Sequence, residues 1–190
     1  MKRFSFFAML SRMKYIRRWG LMRNAREENL SEHSLDTAYI AHALALLSDV
    51  DPSRAVFCAL YHDCSEILTG DMPTPVKYYS PQIKESYKEI EQAAAGRLLS
   101  TLPPDLQQAY HPHFFEQDPQ VLAVVKAADK LSALVKCIEE IRMGNNDFQN
   151  AKQAQLEALH QMNLPAVDFF LENCLPAYEL TLDELNLGNF

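Results

Sequence analysis

The adjacent pair His62-Asp63, with His33 upstream, Asp129 downstream and Glu66 one helical turn on, supplies the side chains from which a divalent-cation site is made. Imidazole nitrogens and carboxylate oxygens together suit borderline-to-hard ions such as Mn, Co, Mg or Zn. A set of two of each leaves positions open for water and a substrate oxygen. An ion so held acidifies bound water and neutralises charge growing on the centre attacked, so the chemistry indicated is metal-dependent hydrolysis. On a helix His62 and Asp63 are about 100° apart, yet both reach an ion lying between their faces. Glu66 falls on their side of the helix. It can exchange a proton with the attacking water or the leaving oxygen, a contribution of typically about 10²–10⁴-fold in rate. Asp129 lies on the row Leu122, Val125, Asp129, Ser132, at the margin of an apolar stripe, where an ionised carboxylate demands a cation or several hydrogen bonds. His33 begins a helix whose next turns are apolar, so it is expected to face inward. His42, His111, His113 and His160 lack carboxylate neighbours of this kind and are read as structural.

Ligands drawn from distant segments converge only if the elements carrying them pack, and the chain reads as helical throughout. Asp51-Pro52, Ser80-Pro81 and Asp118-Pro119 each put a capping side chain before a proline at the first helical position. Gly70 and Gly144 fall where periodic segments end and suit left-handed C-terminal caps. Leu35, Ala38, Ala41, Ala45 and Leu46, then Val56, Ala59, Leu60 and Ile67, then Val121, Val124, Ala128, Leu131, Val135 and Ile138 keep the helical period. Further helices are expected over residues 4 to 14, through IKESYKEIEQAAAGRLLSTL, from Phe148 to Met162 and from Ala166 onward. No strand is read. The expectation is an all-α, single compact bundle of about seven or eight helices forming one domain over residues 1–190.

Composition bounds the rest. The chain is 48% apolar and 23% charged, enough for a core that needs no staples. Its net charge of -7 argues against a polymeric nucleic-acid partner. A small anionic substrate remains open, with local cations at Lys14, Arg17, Arg18, Arg23 and Arg26. Cys58, Cys64, Cys137 and Cys174 show no Cys-x-x-Cys spacing and read as reduced, buried thiols. No secretory pattern and no membrane-length apolar run is found, so a cytoplasmic protein with no membrane partner is expected.

The arrangement of His33, His62-Asp63 and Asp129 resembles the H…HD…D pattern of the HD-domain metal-dependent phosphohydrolases. Three segments are more similar still to the bacterial 5'-deoxynucleotidases of that superfamily: RRWGLMRNAREENLSEHS (17 to 34), YHDCSEILTGDMPTPVKY (61 to 78) and VKAADKLSALVKCIEEI (125 to 141). The resemblance spans essentially the whole chain. It implies an HD-type helical bundle in which His33, His62, Asp63 and Asp129 hold one divalent ion (Co, Mn, Mg or Zn) and Glu66 is catalytic. By the same resemblance Arg18 orients the phosphate, Trp19 contacts the sugar, and Asp71, Met72, Pro73 and Thr74 form the substrate loop, with His33, Asp63 and Asp129 also facing substrate. It further implies a homodimer.

The expected activity is hydrolysis of deoxyribonucleoside 5'-monophosphates to deoxyribonucleosides and phosphate. If Trp19 walls the C2' side of the sugar, burying an unpartnered ribose hydroxyl costs about 1–3 kcal/mol, a preference for deoxyribose of about 5- to 150-fold. Two alternatives stand beside it. One keeps the metal site but takes a nucleoside triphosphate, cyclic nucleotide or alarmone. The other is a non-catalytic helical binding protein whose polar residues only support packing.

Overall fold

The structure, a computed structural model, describes residues 3–185, so both ends of the expected 1–190 domain lie outside the described residues. Among the described residues ten α-helices follow one another: α1 (Phe6–Leu10), α2 (Leu30–Leu47), α3 (Pro52–Tyr61), α4 (Glu66–Thr69), α5 (Thr74–Lys77), α6 (Pro81–Leu99), α7 (Pro104–Phe114), α8 (Pro119–Arg142), α9 (Gln149–His160) and α10 (Pro165–Asn173). No strand occurs among the described residues, where the only pairing of extended backbone is the isolated antiparallel bridge between Arg17 and Asn29. The all-α expectation holds. The helix number exceeds it because α4 and α5 are single turns and because α7 was not anticipated. In PDLQQAYHPHF the proline at 112 argues against a helix, but it sits in the last turn, where the lost N–H removes little of the hydrogen-bond ladder.

The starts are set locally as the sequence indicates. Asp51 Oδ1 accepts from Ser53 N at 2.8 Å, Ser80 Oγ from Ile83 N at 3.2 Å and Asp118 Oδ1 from Gln120 N at 3.0 Å. At α2 the Asn29 side chain accepts from Ser31 N and Glu32 N, and Glu32 reaches back to Asn29 N, which completes a capping box. Gly70 and Gly144 both have positive φ, 74° and 84°. Gly70 pairs its φ with a ψ of 162°, outside the left-handed helical well and in a region essentially open to glycine alone.

Helices α2, α3 and α8 pack together around one hydrophobic cluster, closed by α9 and α10. Ala38, Ala41 and Ala45 on α2 meet Ala55 and Ala59 on α3 and Ala127 and Ala128 on α8, so small side chains let the three axes approach closely. This corrects one expectation. Leu35 and Leu46, placed on the inner row by periodicity, are 45% and 64% exposed, and Thr37, Ile40 and Leu44 join the alanines inside. A second cluster of Phe6, Met13, Leu30, Cys64, Leu98, Leu99 and Leu102 ties the N-terminal segment to α6. The chain passes from the first cluster to the second between Ala59 and Cys64, and His62 and Asp63 lie at that crossing.

Candidate metal centre and active site

The His62-Asp63 pair is not inside a helix, as the sequence suggested. α3 ends at Tyr61, and residues 62 to 65 form a turn before α4. Bonds there span three residues: Cys64 N to Tyr61 O at 3.1 Å, Glu66 N to Asp63 O at 2.9 Å and Ile67 N to Cys64 O at 3.2 Å. Such tightening eclipses residues i and i+3, which sets Asp63 and Glu66 on one side more directly than an α-helix would. It also frees the end of α3, where the Ala59 carbonyl accepts from His62 Nδ1 at 2.7 Å. Donation from Nδ1 leaves Nε2 as the lone-pair nitrogen, directed away from α3.

His33, completely buried on the first turns of α2, is oriented in the same way. Its Nδ1 lies 3.0 Å from Ser132 Oγ on α8, and its Nε2 lies 3.0 Å from Asp129 Oδ1, one turn earlier on that helix. The rings of His33 and His62 are 5.3 Å apart. Ligand atoms of His33, His62 and Asp129 all lie within 4.8 Å of one another. Asp63 stands beside them, its Oδ2 3.1 Å from His62 Nε2 and 3.7 Å from His33 Nε2. That same oxygen accepts from Arg18 Nη1 at 3.0 Å.

Electrostatics concentrate at this point. Burial works against ionising Asp63, but His62, Arg18 and His33 hold its carboxyl far below the usual range. Asp129 is likewise lowered against its burial by a hydrogen bond from His33 and the charges nearby. Burial resists protonation of His62, yet Asp63 and Asp129 push its pKa up to about 9. A proton on this imidazole and a metal ion compete for the same carboxylate field, so metal uptake releases a proton. His62 Nε2 is buried and makes no hydrogen bond, its contact with Asp63 being an ion-pair distance without hydrogen-bond alignment. Two imidazole Nε2 atoms facing two ionised carboxylates, with that of His62 unpartnered, fit a divalent ion that takes the place of the imidazole protons.

Glu66 is 5% exposed, and its Oε2 is buried without a hydrogen-bond partner. Burial first, then Asp63 and Asp71, push its pKa up to about 9, so it holds its proton at neutrality. Arg18, nearly buried, spans two carboxylates, with Nη1 on Asp63 and Nε on Glu28 Oε2 at 3.1 Å. The other basic residues noted nearby, Lys14, Arg17, Arg23 and Arg26, are exposed on the surface, so Arg18 is the member of that group brought to the centre. Trp19 packs against Phe148, with rings 5.3 Å apart, and its backbone N–H donates to Asp71, whose carboxyl is raised by burial and lowered by Arg18. Asp71 thus lies against the Trp19 backbone and within reach of the Arg18 charge. Met72 and Pro73 follow it half-buried, and Thr74 opens α5 exposed to solvent.

Three contributors escaped the sequence reading. Ser132 orients the His33 ring through Nδ1 and lies on the same helical row as Asp129, a signal that was present. Glu28 inside REENLSEHS and Lys77 at the end of α5 carried no spacing cue. Lys77 Nζ binds Glu91 at 2.7 Å over the Tyr87 ring, and its charge acts on Glu66 and Asp63.

Comparison with known proteins agrees with this geometry. The fold matches an HD-domain phosphohydrolase from Listeria innocua with a TM-score of 0.79 at 26% identity, covering 92% of this chain and 88% of that one. It also matches a cyanophage S-2L HD phosphohydrolase bound to dA and one catalytic Zn2+ ion, with a TM-score of 0.67, 20% identity and coverage of 89% and 95%. Fold and site together define an HD-domain phosphohydrolase. The 5'-deoxynucleotidase YfbR-like family profile matches residues 5–178, and the chain belongs to that family. A curated 5'-deoxynucleotidase from Vibrio atlanticus is 45% identical over 194 residues, which cover 98% of this chain and 100% of that protein.

Proposed function

We propose that this protein is a metal-dependent 5'-deoxynucleotidase that hydrolyses deoxyribonucleoside 5'-monophosphates to deoxyribonucleosides and phosphate. The observation that carries the proposal is the convergence of His33, His62 and Asp129 beside an Arg18-bound Asp63, in a chain similar along its length to curated 5'-deoxynucleotidases. His33, His62, Asp63 and Asp129 would hold one divalent ion, Co, Mn, Mg or Zn. Such an ion supplies acidified water and charge neutralisation at phosphorus.

The chain's own residues do the rest. Arg18, held at Nε and Nη1, presents its remaining donors as a planar fork for phosphate oxygens. Glu66, buried beside Asp63 and Asp71 so that its protonated form is favoured, donates its proton to the departing 5'-oxygen and recovers one from the water that is consumed. Trp19 walls the sugar, and Asp71, Met72, Pro73 and Thr74 line the substrate loop. No helix of the described residues is long and apolar enough to cross a membrane, and we place the enzyme in the cytoplasm as one domain. The exposed row Leu35, Tyr39 and Leu46 on α2 supports self-association as a homodimer, which sedimentation would measure.

The test is phosphate release from dAMP, AMP, dATP and a cyclic nucleotide after chelation, with and without added Mn or Co. Release from dAMP restored by metal, with AMP slower by about 5- to 150-fold, is expected. Equal release from dAMP and AMP would overturn the assignment of Trp19, and release only from dATP or the cyclic nucleotide would overturn the substrate class.

A further inference from the structure

We infer that Glu28 is a positioning residue whose single carboxylate oxygen couples the grip on phosphate to the choice of sugar. The inference rests on the deoxynucleotidase reading, in which Arg18 and Trp19 meet the substrate. Glu28 is 8% exposed, and its Oε2 accepts both from Arg18 Nε at 3.1 Å and from Trp19 Nε1 at 3.0 Å. A carboxylate oxygen has lone pairs for two donors, and a charged partner strengthens the pair.

The backbone makes this coupling rigid. Arg18 N donates to Glu28 O at 3.0 Å and Leu30 N to Ile16 O at 3.0 Å, around the Arg17–Asn29 bridge, so the segment bearing the substrate side chains is paired with the segment bearing Glu28. Trp19 itself has a φ of 60°, a left-handed conformation that a bulky side chain adopts only when its surroundings enforce it. The enforcing contacts are the Glu28 carboxylate on the indole N–H, Asp71 on the backbone N–H, Met22 N and Asn24 Nδ2 on the Trp19 carbonyl, and Phe148 against the ring. Of these, Glu28 alone also holds Arg18. Removing its carboxylate loosens the indole and leaves the Arg18 side chain with Asp63 as its remaining hydrogen-bond partner, drawn toward that carboxylate and away from its set direction.

Trp19 is the only tryptophan in the chain, so its fluorescence reports this contact without any assay of turnover. Glu28→Ala and the shape-conserving Glu28→Gln are compared with the wild type. In Glu28→Ala we expect acrylamide quenching of Trp19 to increase and kcat/KM for dAMP to fall roughly 10- to 100-fold, the scale of a small misplacement of a reacting group. The dAMP-to-AMP ratio should fall toward that of Trp19→Ala, while bound metal stays unchanged. Glu28→Gln, which keeps an acceptor for the indole but loses the charge, should recover much of the ratio and less of the rate. In a Trp19→Ala background Glu28→Ala should not lower the ratio further, because both act through one contact. Unchanged quenching and an unchanged ratio in a folded Glu28→Ala protein overturn the inference, and if that variant does not fold, the same outcome in Glu28→Gln does so. A wild type that never releases phosphate from dAMP would overturn the functional reading and this one with it, a result told apart because the quenching change would still be seen.

Discussion

Two ionic clusters lie along α8, one buried and one half-buried, and they are built on opposite terms. Toward its C-terminus Glu140, fully buried, accepts from Ala25 N at 2.7 Å, Arg26 N at 3.0 Å, Asn145 Nδ2 at 2.6 Å and Lys136 Nζ, while Lys136 Nζ also reaches the Arg26 carbonyl. Four donors meet four lone-pair directions, and the charges cancel within the cluster. Nearer the middle of the helix Asp129 and Ser132 join His33, His62, Asp63 and Glu66, where carboxylates face imidazole rings and both His62 Nε2 and Glu66 Oε2 are buried without a hydrogen bond. The first cluster completes itself and fastens residues 23–26, just beyond Arg18 and Trp19, to the bundle. The second is completed only from outside. A buried charge that is fully partnered serves the fold, and one that is not is where a ligand would contribute most.

The largest effects should come from breaking the second cluster at its ligands. His62→Ala or Asp129→Ala removes a donor from a set that already has few, and both bound metal and turnover should be lost. If the ion supplies several kcal/mol of charge stabilisation, the rate falls by roughly 10³-fold or more. Metal analysis with phosphate release checks this, and full turnover in either variant would break the assignment. Glu66→Gln separates proton transfer from metal holding. Metal should stay bound while turnover falls by about 10²–10⁴-fold, and retained activity would move Glu66 to a purely structural role.

The first cluster should fail differently. Glu140→Ala leaves the Lys136 ammonium and two backbone N–H groups buried without their partner, which costs about 3–5 kcal/mol of stability. The melting temperature should fall sharply while the folded fraction still binds metal. Replacing both charges, Lys136→Met with Glu140→Leu, should restore much of that loss, since the unpaired charge and not the missing pair is what destabilises. A double variant no more stable than Glu140→Ala would show that the anchoring of residues 25 and 26 outweighs the charge pair.

The two clusters were also unequally legible in the sequence. His33, His62 and Asp129 could be picked out because imidazoles and carboxylates at the margins of apolar stripes have few inexpensive structural uses, and the structure does bring their ligand atoms together. Capped helix starts at Asp51, Ser80 and Asp118 were equally readable, since capping is local chemistry. Glu140 was not, because its partners at 25 and 26 lie more than a hundred residues away and backbone N–H groups leave no mark on composition. The break of α3 at His62 was hidden too, because LYHDCSEIL contains neither proline nor glycine and each residue tolerates a helix. There the site dictates the backbone, and local propensity gives way to it. Leu35 and Leu46 failed for a related reason, since close alanine packing among α2, α3 and α8 fills the inner face and leaves the larger side chains outside.

The smallest effect, and the sharpest contrast, lies in the pH dependence of stability without metal. Burial opposes ionisation of Glu140, but Lys136, the backbone of Ala25 and Arg26, and Asn145 lower its pKa from 4.5 to about 2. Between those values the unfolded chain binds the proton and the folded chain does not. Glu140 therefore stabilises the fold fully above pH 4.5, and that contribution is lost as pH falls toward 2. Glu66 runs the other way, with its pKa raised from 4.5 to about 9 by burial and by Asp63 and Asp71. From pH 4.5 to 9 the folded chain keeps a proton that the unfolded chain releases, so Glu66 takes stability away progressively as pH rises. Glu66→Gln, which cannot ionise, should accordingly be more stable than the metal-free wild type at pH 7 and equal to it near pH 4. Glu140→Gln should be less stable than the wild type at pH 7 and approach it near pH 2. Urea midpoints for the three proteins across that range measure both trends, and a Glu66→Gln protein that gains nothing between pH 4 and 7 would show that its carboxyl ionises in the fold at the ordinary value, contrary to a site completed only by an incoming ligand.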